Sequence, residues 1–196
     1  LTAPIGAVNL ATLTLSEKDA AAFGSQLPGF TIPQALDAIY DHGAGTVIVI
    51  NVLDPAIHKT AVASEAITFN ASTDRVKLAH GAVAALVLKS NDGLTTYVLG
   101  TDYTVDTLTG ELTRVKGGSI VAGASVKASY DYADPTKVTA ADIIGTVNAA
   151  GVRTGLKALK DTYNLFGFFA KILIAPAFCT QNSVAVELIA MADQLD

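Results

Sequence analysis

Residues 46–52 read Thr-Val-Ile-Val-Ile-Asn-Val, and this stretch decides the predicted fold of the chain. Nearly all of its side chains are β-branched, and an unbroken run of such residues is typical of a strand that is covered on both faces. We therefore expect residues 46–52 to form a central strand of a sheet.

A short helix is predicted immediately before this strand. Thr31 and Gln34 have the spacing of a capping box, and Gly43 supplies a stop at the other end. Apolar side chains recur between them at helical spacing, at Ile32, Leu36, Ile39 and Tyr40. The pattern predicts a helix over about residues 32–42, and a tight Gly43-Ala44-Gly45 turn then leads into the strand.

The sequence pattern changes at residues 53–135, which show little helical periodicity and many turn signals. Residues 75–78 and 126–132 alternate between polar and apolar side chains, and Asp92-Gly93 separates two further strand-like runs. This pattern predicts an all-β domain, a sandwich or a barrel-like fold, inserted at residues 53–135.

Helical patterns return after residue 135. Thr139 and Asp142 predict a cap for a helix through about Asn148, and Thr154 opens a second helix. Residues 170–175, Ala-Lys-Ile-Leu-Ile-Ala, are a second apolar run of the kind expected for a buried strand. A last helix places four apolar side chains on one face, namely Val184, Leu188, Met191 and Leu195.

Two buried strands separated by helices predict a parallel sheet with right-handed crossovers. The expected fold class is therefore α/β: a small parallel-sheet core formed by residues 1–52 and 136–196, interrupted by the all-β domain at residues 53–135. Because two strands make a small sheet, we expect the core to be incomplete at its C-terminus and to need a further strand.

Composition excludes several classes of protein. The chain has 196 residues, is 51% hydrophobic and 16% charged, and can therefore bury a sizeable core. Its 13 Lys and Arg residues against 18 Asp and Glu residues exclude a strongly basic protein that binds nucleic acid or anionic lipid. The longest apolar segment, residues 166–178, is interrupted by Lys171, so no membrane insertion is expected.

The motifs associated with nucleotide binding and serine catalysis are incomplete. Gly43-Ala44-Gly45 precedes a strand instead of opening a helix, and Gly118 with Gly123 lacks the lysine of a phosphate-binding loop. Gly118 and Gly123 are expected to lie in hairpin turns. Ser125 lies in Gly-Ala-Ser-Val-Lys, which departs at its last position from the pattern of a nucleophile elbow.

The cysteine and the histidines predict neither a disulfide nor a metal site. Cys179 is the single cysteine and is expected to be a small buried thiol. His42, His58 and His80 are spread over a helix end, the entry to the β domain and a strand end. Isolated imidazoles of this kind are expected to make local hydrogen bonds.

The acidic residues of the β domain do not have the spacing of a calcium loop. Asp102, Asp106 and Glu111 are expected to form a solvated polar rim. Asn70-Ala71-Ser72 has the form of a glycosylation acceptor but is interpreted as a turn. The sequence therefore predicts no catalytic, cofactor-binding or metal residues, and a protein that is not an enzyme.

Several segments occur in an order that is characteristic of one protein family. The first is the helix ending at Gly43 with its valine-rich strand, preceded by Phe23-Gly24. The second is the strand, Ala-Pro and alanine-rich helix of residues 172–192, which follows residues 156–159. Together with residues 100–114, which are similar to an inserted β domain, this arrangement resembles the tail sheath proteins of contractile-tailed bacteriophages and related prophage injection machines.

The resemblance implies a structural subunit that polymerises around a tail tube and contracts to drive the tube through the host envelope. The implied partners are other sheath subunits in helically stacked hexameric rings, the tail tube protein and the baseplate. The implied location is the virion tail, after assembly in the cytoplasm of the bacterial host.

Sheath subunits of this family are usually much longer, and their ends supply arms that add strands to neighbouring subunits. The resemblance therefore implies a core fragment that lacks the N-terminal arm and the C-terminal domain. We also expect the α/β part to face the tube and the domain at residues 53–135 to project outward, because a long excursion is tolerated where it obstructs no other contact.

Two other hypotheses remain at the level of the sequence. One is a β-sandwich module that binds a carbohydrate or a receptor through its tyrosines, Tyr97, Tyr103, Tyr130 and Tyr132. Tyrosines that alternate in strands are more typical of cross-strand packing. The other is a hydrolase fragment that uses Ser125 or Cys179 as its nucleophile.

Overall fold

The computed structural model describes residues 1–43 and 45–195, which form two compact units. Unit 1 contains Leu1–Asp54 and the chain from Pro135 onward, and unit 2 contains Pro55–Asp134. The elements of unit 1 are β1 (Thr12–Thr14), α1 (Glu17–Ala20), α2 (Ile32–Asp41), β2 (Val47–Val49), α3 (Ala140–Ile144), α4 (Thr162–Phe166) and α5 (Asn182–Leu195), with 3₁₀ turns at Ala21–Phe23, Pro135–Lys137 and Gly155–Asp161. The strands of unit 2 are β3 (Lys59–Thr68), β4 (Arg75–Lys77), β5 (Val83–Ser90), β6 (Tyr103–Asp106), β7 (Glu111–Arg114) and β8 (Ser125–Ala133).

The predicted parallel-sheet α/β core is wrong, because every strand pair in the three sheets of the described chain is antiparallel. The predicted central strand is present as β2, but its partner is β1, with Leu13 opposite Ile48. Residues 170–175, the second predicted strand, adopt no strand. An apolar β-branched run predicts a strand buried on both faces, but it does not specify which segment pairs with that strand or in which direction.

Helix α2 confirms the predicted helix, although its predicted capping box is wrong. The hydroxyl of Thr31 accepts a hydrogen bond from the backbone N–H of Thr2 at 3.1 Å and does not cap the helix. Pro33 is the second residue of the helix and lies in its first turn, where a missing N–H costs nothing. At the other end, the Tyr40 hydroxyl donates to Oγ1 of Thr14 at 2.8 Å and so ties α2 to β1.

The C-terminal helices of unit 1 follow their local signals. The predicted cap of α3 is confirmed, because the N–H and the hydroxyl of Thr139 donate to Oδ2 of Asp142 at 2.8 and 2.7 Å. The helix ends before the predicted Asn148, since Gly145 has a φ of +76° and a Cβ there would overlap the carbonyl of Thr154. The predicted face of α5 is buried at Val184, Met191 and Leu195 and half-buried at Leu188.

Unit 2 consists of two three-stranded sheets, in the orders β3-β8-β5 and β4-β7-β6. The strands predicted at residues 75–78 and 126–132 are present as β4 and β8. Buried side chains from both sheets form one apolar core, comprising Ile67, Phe69, Leu78, Val83, Leu88, Tyr103, Leu112, Ile120, Val126, Ala128 and Tyr130. Strand β8 is the central strand of its sheet, since it pairs along both edges.

The two ends of unit 2 meet. Lys59 at the start of β3 pairs with Ala133 at the end of β8, and the N–H of Asp134 donates to the carbonyl of His58 at 2.9 Å. The Thr60 hydroxyl donates to Oδ2 of Asp134 at 2.6 Å. The chain therefore enters and leaves unit 2 at one place.

A largely buried ion pair joins the β4–β7 sheet to the loop that follows it. Arg114 donates from Nε and Nη2 to Oδ1 of Asp74 at 2.9 and 2.8 Å, and the two side chains are only 13% and 12% exposed. Nη1 of Arg114 also donates to the carbonyl of Ile120 at 3.1 Å. A second pair in the same sheet, Arg75 with Glu111 at 2.8 Å, is 58% and 41% exposed.

The two ion pairs predict different losses of stability when the arginine of each pair is replaced by methionine. Arg114→Met removes the buried cation beside the Asp74 carboxylate and leaves it only the exposed ammonium of Lys116, 3.9 Å away, so we expect the free energy of unfolding to fall by about 3 kcal/mol. Arg75→Met, the matched control, breaks an exposed pair and should cost less than about 1 kcal/mol. Urea unfolding of the 196-residue chain measures both values, and equal losses for the two variants would contradict this account.

Candidate functional site

The glycines that suggested phosphate loops have structural roles. Of the Gly43-Ala44-Gly45 turn, Ala44 lies outside the described residues, and Gly43 follows the end of α2. Gly118 lies against the backbone of Asp102, where a Cβ would come within 2.8 Å of the aspartate Cα. Gly123 has a φ of +74° in the turn before β8, so the prediction of turn glycines is confirmed there.

The two candidate nucleophiles lie in different parts of the chain. Ser125 opens β8, and its Oγ lies 2.8 Å from Oγ1 of Thr68 on the neighbouring strand β3. Cys179 is exposed, which corrects the expectation of a buried thiol. The preceding residue, Phe178, is buried instead, and the N–H of Cys179 donates to the carbonyl of Ala175 at 2.8 Å.

The three histidines occupy three different environments. Nδ1 of His42 lies 2.8 Å from the carbonyl of Ala38 in the last turn of α2, which confirms a local hydrogen bond. His58 is buried in unit 2, and His80 stacks on Tyr132 with ring centroids 3.7 Å apart. Within residues 1–43 and 45–195, no group of three or more His, Cys, Asp or Glu side chains has the arrangement of a metal site.

Asp102 is an internal anchor of unit 2, which corrects its assignment to a solvated rim. Its side chain accepts backbone hydrogen bonds from Ser119 at 2.6 Å and from Val98 at 2.8 Å. The residue is 4% exposed. These donors stabilise the carboxylate and hold the pKa of Asp102 below its usual range.

The other acidic candidates are also engaged locally. Asp106 accepts the hydroxyl of Thr109 at 2.7 Å and the N–H of Leu108 at 3.0 Å, which lowers the pKa of Asp106. Glu111 forms the exposed pair with Arg75. Asn70 accepts the N–H of Ser72 at 2.9 Å, so the predicted turn at this acceptor sequence is confirmed.

The tyrosines of unit 2 belong mainly to its core. Tyr103 and Tyr130 are 2% and 3% exposed, and Tyr97 and Tyr132 are half-buried against the same core. The Tyr130 hydroxyl donates to Oε2 of Glu65 at 2.6 Å, and burial together with this carboxylate raises the pKa of Tyr130. Packing, the typical role of tyrosines that alternate in strands, is therefore the role of these side chains in unit 2.

Exposed apolar surface is the most prominent feature of unit 1. Thirteen of its large apolar side chains are exposed within the described residues: Ile5, Val8, Leu10, Leu15, Val147, Val152, Tyr163, Leu165, Phe168, Ile172, Ile174, Val186 and Ile189. Exposed apolar side chains that form a contiguous patch mark a site of contact with another molecule or segment. Among the described residues, no helix is long and apolar enough to span a bilayer.

Unit 1 also contains an apolar cavity of about 540 Å³. We call it the β2 cavity, and it is lined by α2, by residues 46–50 and by residues 168–175. The predicted but absent strand at 170–175 therefore forms one of its walls.

Comparison with known proteins shows which proteins this chain resembles in sequence. Over 195 residues, 99% of this chain, the sequence is 70% identical to the tail sheath protein of Burkholderia phage BcepMu. The chain is homologous to phage tail sheath proteins. The resemblance predicted from the sequence is thereby confirmed, and the matched span is 41% of the length of the phage protein.

Two further comparisons concern parts of this sheath homologue. A protein assigned as a prophage major tail sheath protein of Pseudomonas aeruginosa strain UCBPP-PA14 is 36% identical over 70 residues, which are 36% of this chain and 18% of that protein. A family model described as "Protein of unknown function UCP028589" matches residues 55–142, which include the whole of unit 2.

The lowered pKa of Asp102 predicts a pH-dependent effect of Asp102→Asn. The carboxylate stabilises the fold above the usual aspartate pKa of about 3.9, and this contribution is lost as the pH falls through the lower pKa of the folded state. We therefore expect the Tm of the variant to lie below that of the parent chain at pH 7 and the difference to shrink in acid.

Thermal unfolding followed by circular dichroism from pH 7 to about pH 3 covers this range. Asp193→Asn, which changes an exposed carboxylate on α5, is the control and should leave the Tm unchanged throughout. A Tm difference for Asp102→Asn that stays constant with pH would contradict the role given to its charge.

Proposed function

We propose that this chain is a structural part of a phage tail sheath. The observation that carries the proposal is the 70% identity over 195 residues to the sheath protein of Burkholderia phage BcepMu. The geometry of the chain supports it, since the acidic and tyrosine side chains that could have supplied chemistry serve turns, ion pairs and the core. We propose accordingly that the protein acts through its surfaces and catalyses no reaction.

We further propose that copies of the longer protein form stacked hexameric rings around a tail tube, joined to a baseplate, in the virion tail, after assembly in the host cytoplasm. Contraction would drive the tube through the host envelope. Repetition of one interface between identical subunits is the usual route to rings and helical tubes. The energy for contraction would come from repacking these interfaces while each subunit moves nearly as a rigid body.

The proposed domain arrangement is a discontinuous core of residues 1–52 and 136–196 with an inserted β domain at residues 53–135. Two features of the individual units support it. The ends of unit 2 are joined by the β3–β8 ladder, so that this unit closes on itself. Unit 1 has the extensive exposed apolar surface described above. We propose that unit 1 supplies the contacts within the sheath. We propose that unit 2 projects outward from the sheath, away from the tail tube.

Replacement of the matched span in the Burkholderia phage protein tests the structural role. A phage whose sheath gene encodes this chain in place of its own matched residues should produce particles with complete sheathed tails in electron micrographs. A second phage, whose sheath gene carries Arg114→Met within the same replacement, is the control for folding of the inserted sequence, because we expect this substitution to destabilise the fold. Soluble, folded chimeric protein in lysates that contain only bare tail tubes would contradict the proposal.

Deletion of unit 2 tests its proposed outward position. Both of its boundaries are Asp-Pro, at Asp54-Pro55 and at Asp134-Pro135, so removing residues 55–134 joins Asp54 to Pro135 and restores the same dipeptide. We expect the shortened chimera to form sheath tubes that are thinner than those of the full chimera in electron micrographs. A shortened protein that keeps its helical circular dichroism but forms no tubes would place unit 2 among the essential contacts and overturn its proposed position.

A further inference from the structure

Strand β3 forms an open edge of unit 2. The strand order β3-β8-β5 places β3 at the margin of its sheet, and within residues 1–43 and 45–195 β8 is the strand that pairs with it. The opposite margin, at β5, is covered by loops. The N–H of Val83 donates to the carbonyl of Thr107, and the N–H of Tyr97 donates to the carbonyl of Leu88, both at 2.8 Å.

The edge of β3 is long and carries little charge. The strand has 10 residues, and an open edge of this kind presents N–H and C=O groups that can pair with a strand of another chain. Proline and lysine side chains commonly prevent such pairing. Strand β3 contains no proline, and Lys59 lies at its first position, where Nζ donates to Asp131 at 2.7 Å. The carboxylate of Glu65 accepts the Tyr130 hydroxyl at 2.6 Å, so neither charge protects the middle of the edge.

A β-bulge interrupts β3 in the middle of this edge. The register with β8 shifts between Val62 and Glu65, so that Ala63 and Ser64 together lie opposite the single residue Ser129. The Ser129 hydroxyl donates to the carbonyl of Ala63 at 2.5 Å and so binds the bulge to β8. A bulge bends its strand and increases the local twist, which prevents a regular strand from following the edge.

We propose that the bulge at Ala63 and Ser64 keeps β3 from pairing with β3 of a second copy of this chain. Two identical edge strands can pair antiparallel about a two-fold axis, which makes a second copy the partner that this edge fits. The axis of such a pairing would pass through the middle of Lys59–Thr68, which lies between Ala63 and Ser64. The bulge therefore occupies the centre of the pairing that it prevents. The inference concerns unit 2 alone and does not rest on a role in a sheath.

Deletion of Ser64 removes the bulge and leaves the rest of the ladder in register. Ala63 alone then faces Ser129, while Val62 and Glu65 keep their present partners on β8. The same side chains therefore face the core of unit 2, and the edge of β3 becomes regular. We expect the deletion variant of the 196-residue chain to associate reversibly through this edge.

Hydrogen exchange read by mass spectrometry measures this association at the strand itself. Peptides that cover residues 59–68 of the deletion variant should exchange at least about tenfold more slowly at about 200 µM than at about 2 µM protein, because pairing protects the N–H groups of the edge. In the parent chain the same peptides should exchange at one rate at both concentrations. Association through unit 1 leaves these peptides unchanged, so the readout is specific for β3.

Two control variants separate edge pairing from a general effect of the deletion. Strand β5 has a corresponding bulge, where the register shifts between Ala84 and Val87 and Ala85 has a φ of +53°. Deletion of Ala85 should not make the exchange of β5 depend on concentration, because loops cover that edge. Ala61→Lys, added to the deletion of Ser64, places a charge on the open edge beside its cross-strand partner Asp131 and should restore the behaviour of the parent chain.

Concentration-independent exchange of residues 59–68 in a Ser64 deletion variant with the circular dichroism spectrum of the parent would overturn the proposal. Concentration-dependent protection of these residues in the parent chain would also overturn it, because the bulge would then not prevent pairing. Deletion of Ala63 in place of Ser64 produces the same regular ladder, so it provides the test if the first deletion variant does not fold.

Discussion

The pairing of β3 with β8 is the constraint on which the organisation of this chain depends. The ladder runs from Lys59 opposite Ala133 to Thr68 opposite Ser125, so it joins segments that are far apart in sequence. Closing so long a loop costs conformational entropy, but the cost grows only slowly with loop length. In return, the ladder brings the start and the end of unit 2 together, which allows a complete β unit to interrupt unit 1.

Side chains that resemble catalytic candidates are used within unit 2 to hold loops and strands. Asp102 binds the backbone of two loops, Asp74 binds Arg114, and Glu65 accepts hydrogen bonds from the Tyr130 hydroxyl and from the N–H of Ala79. Buried polar groups with satisfied hydrogen bonds specify one arrangement of a small core. A rigid module of this kind suits the proposed role of a structural sheath subunit.

The sequence predicted local features well and long-range partners poorly. Helix α2, the cap of α3 at Thr139 and the buried face of α5 depend on residues within a few positions of one another. The prediction of a capping box at Thr31 was wrong because the Thr31 hydroxyl accepts a hydrogen bond from the N–H of Thr2, a residue distant in sequence. The burial of Asp102 was missed because one of its donors, Ser119, belongs to a later loop. The sheet of β1 and β2 was missed because a β-branched run does not identify its partner.

The similarity to tail sheath proteins could be recognised from the sequence for a different reason. The similarity rests on no chemical motif. It rests on the order of segments along the chain: a helix, a valine-rich strand, a β insertion and an alanine-rich helix. That order survived although the predicted parallel sheet was wrong, because it describes segments along the chain and not their pairing.

The position of this chain in a virus particle tests the account most directly. Gold-labelled antibodies against residues 55–134 can be applied to intact phage that carries this chain within its sheath protein and imaged by electron microscopy. The account predicts gold along the whole tail between head and baseplate. Gold confined to the head or to the tail tip, or absent from particles whose denatured protein binds the antibody, would contradict it.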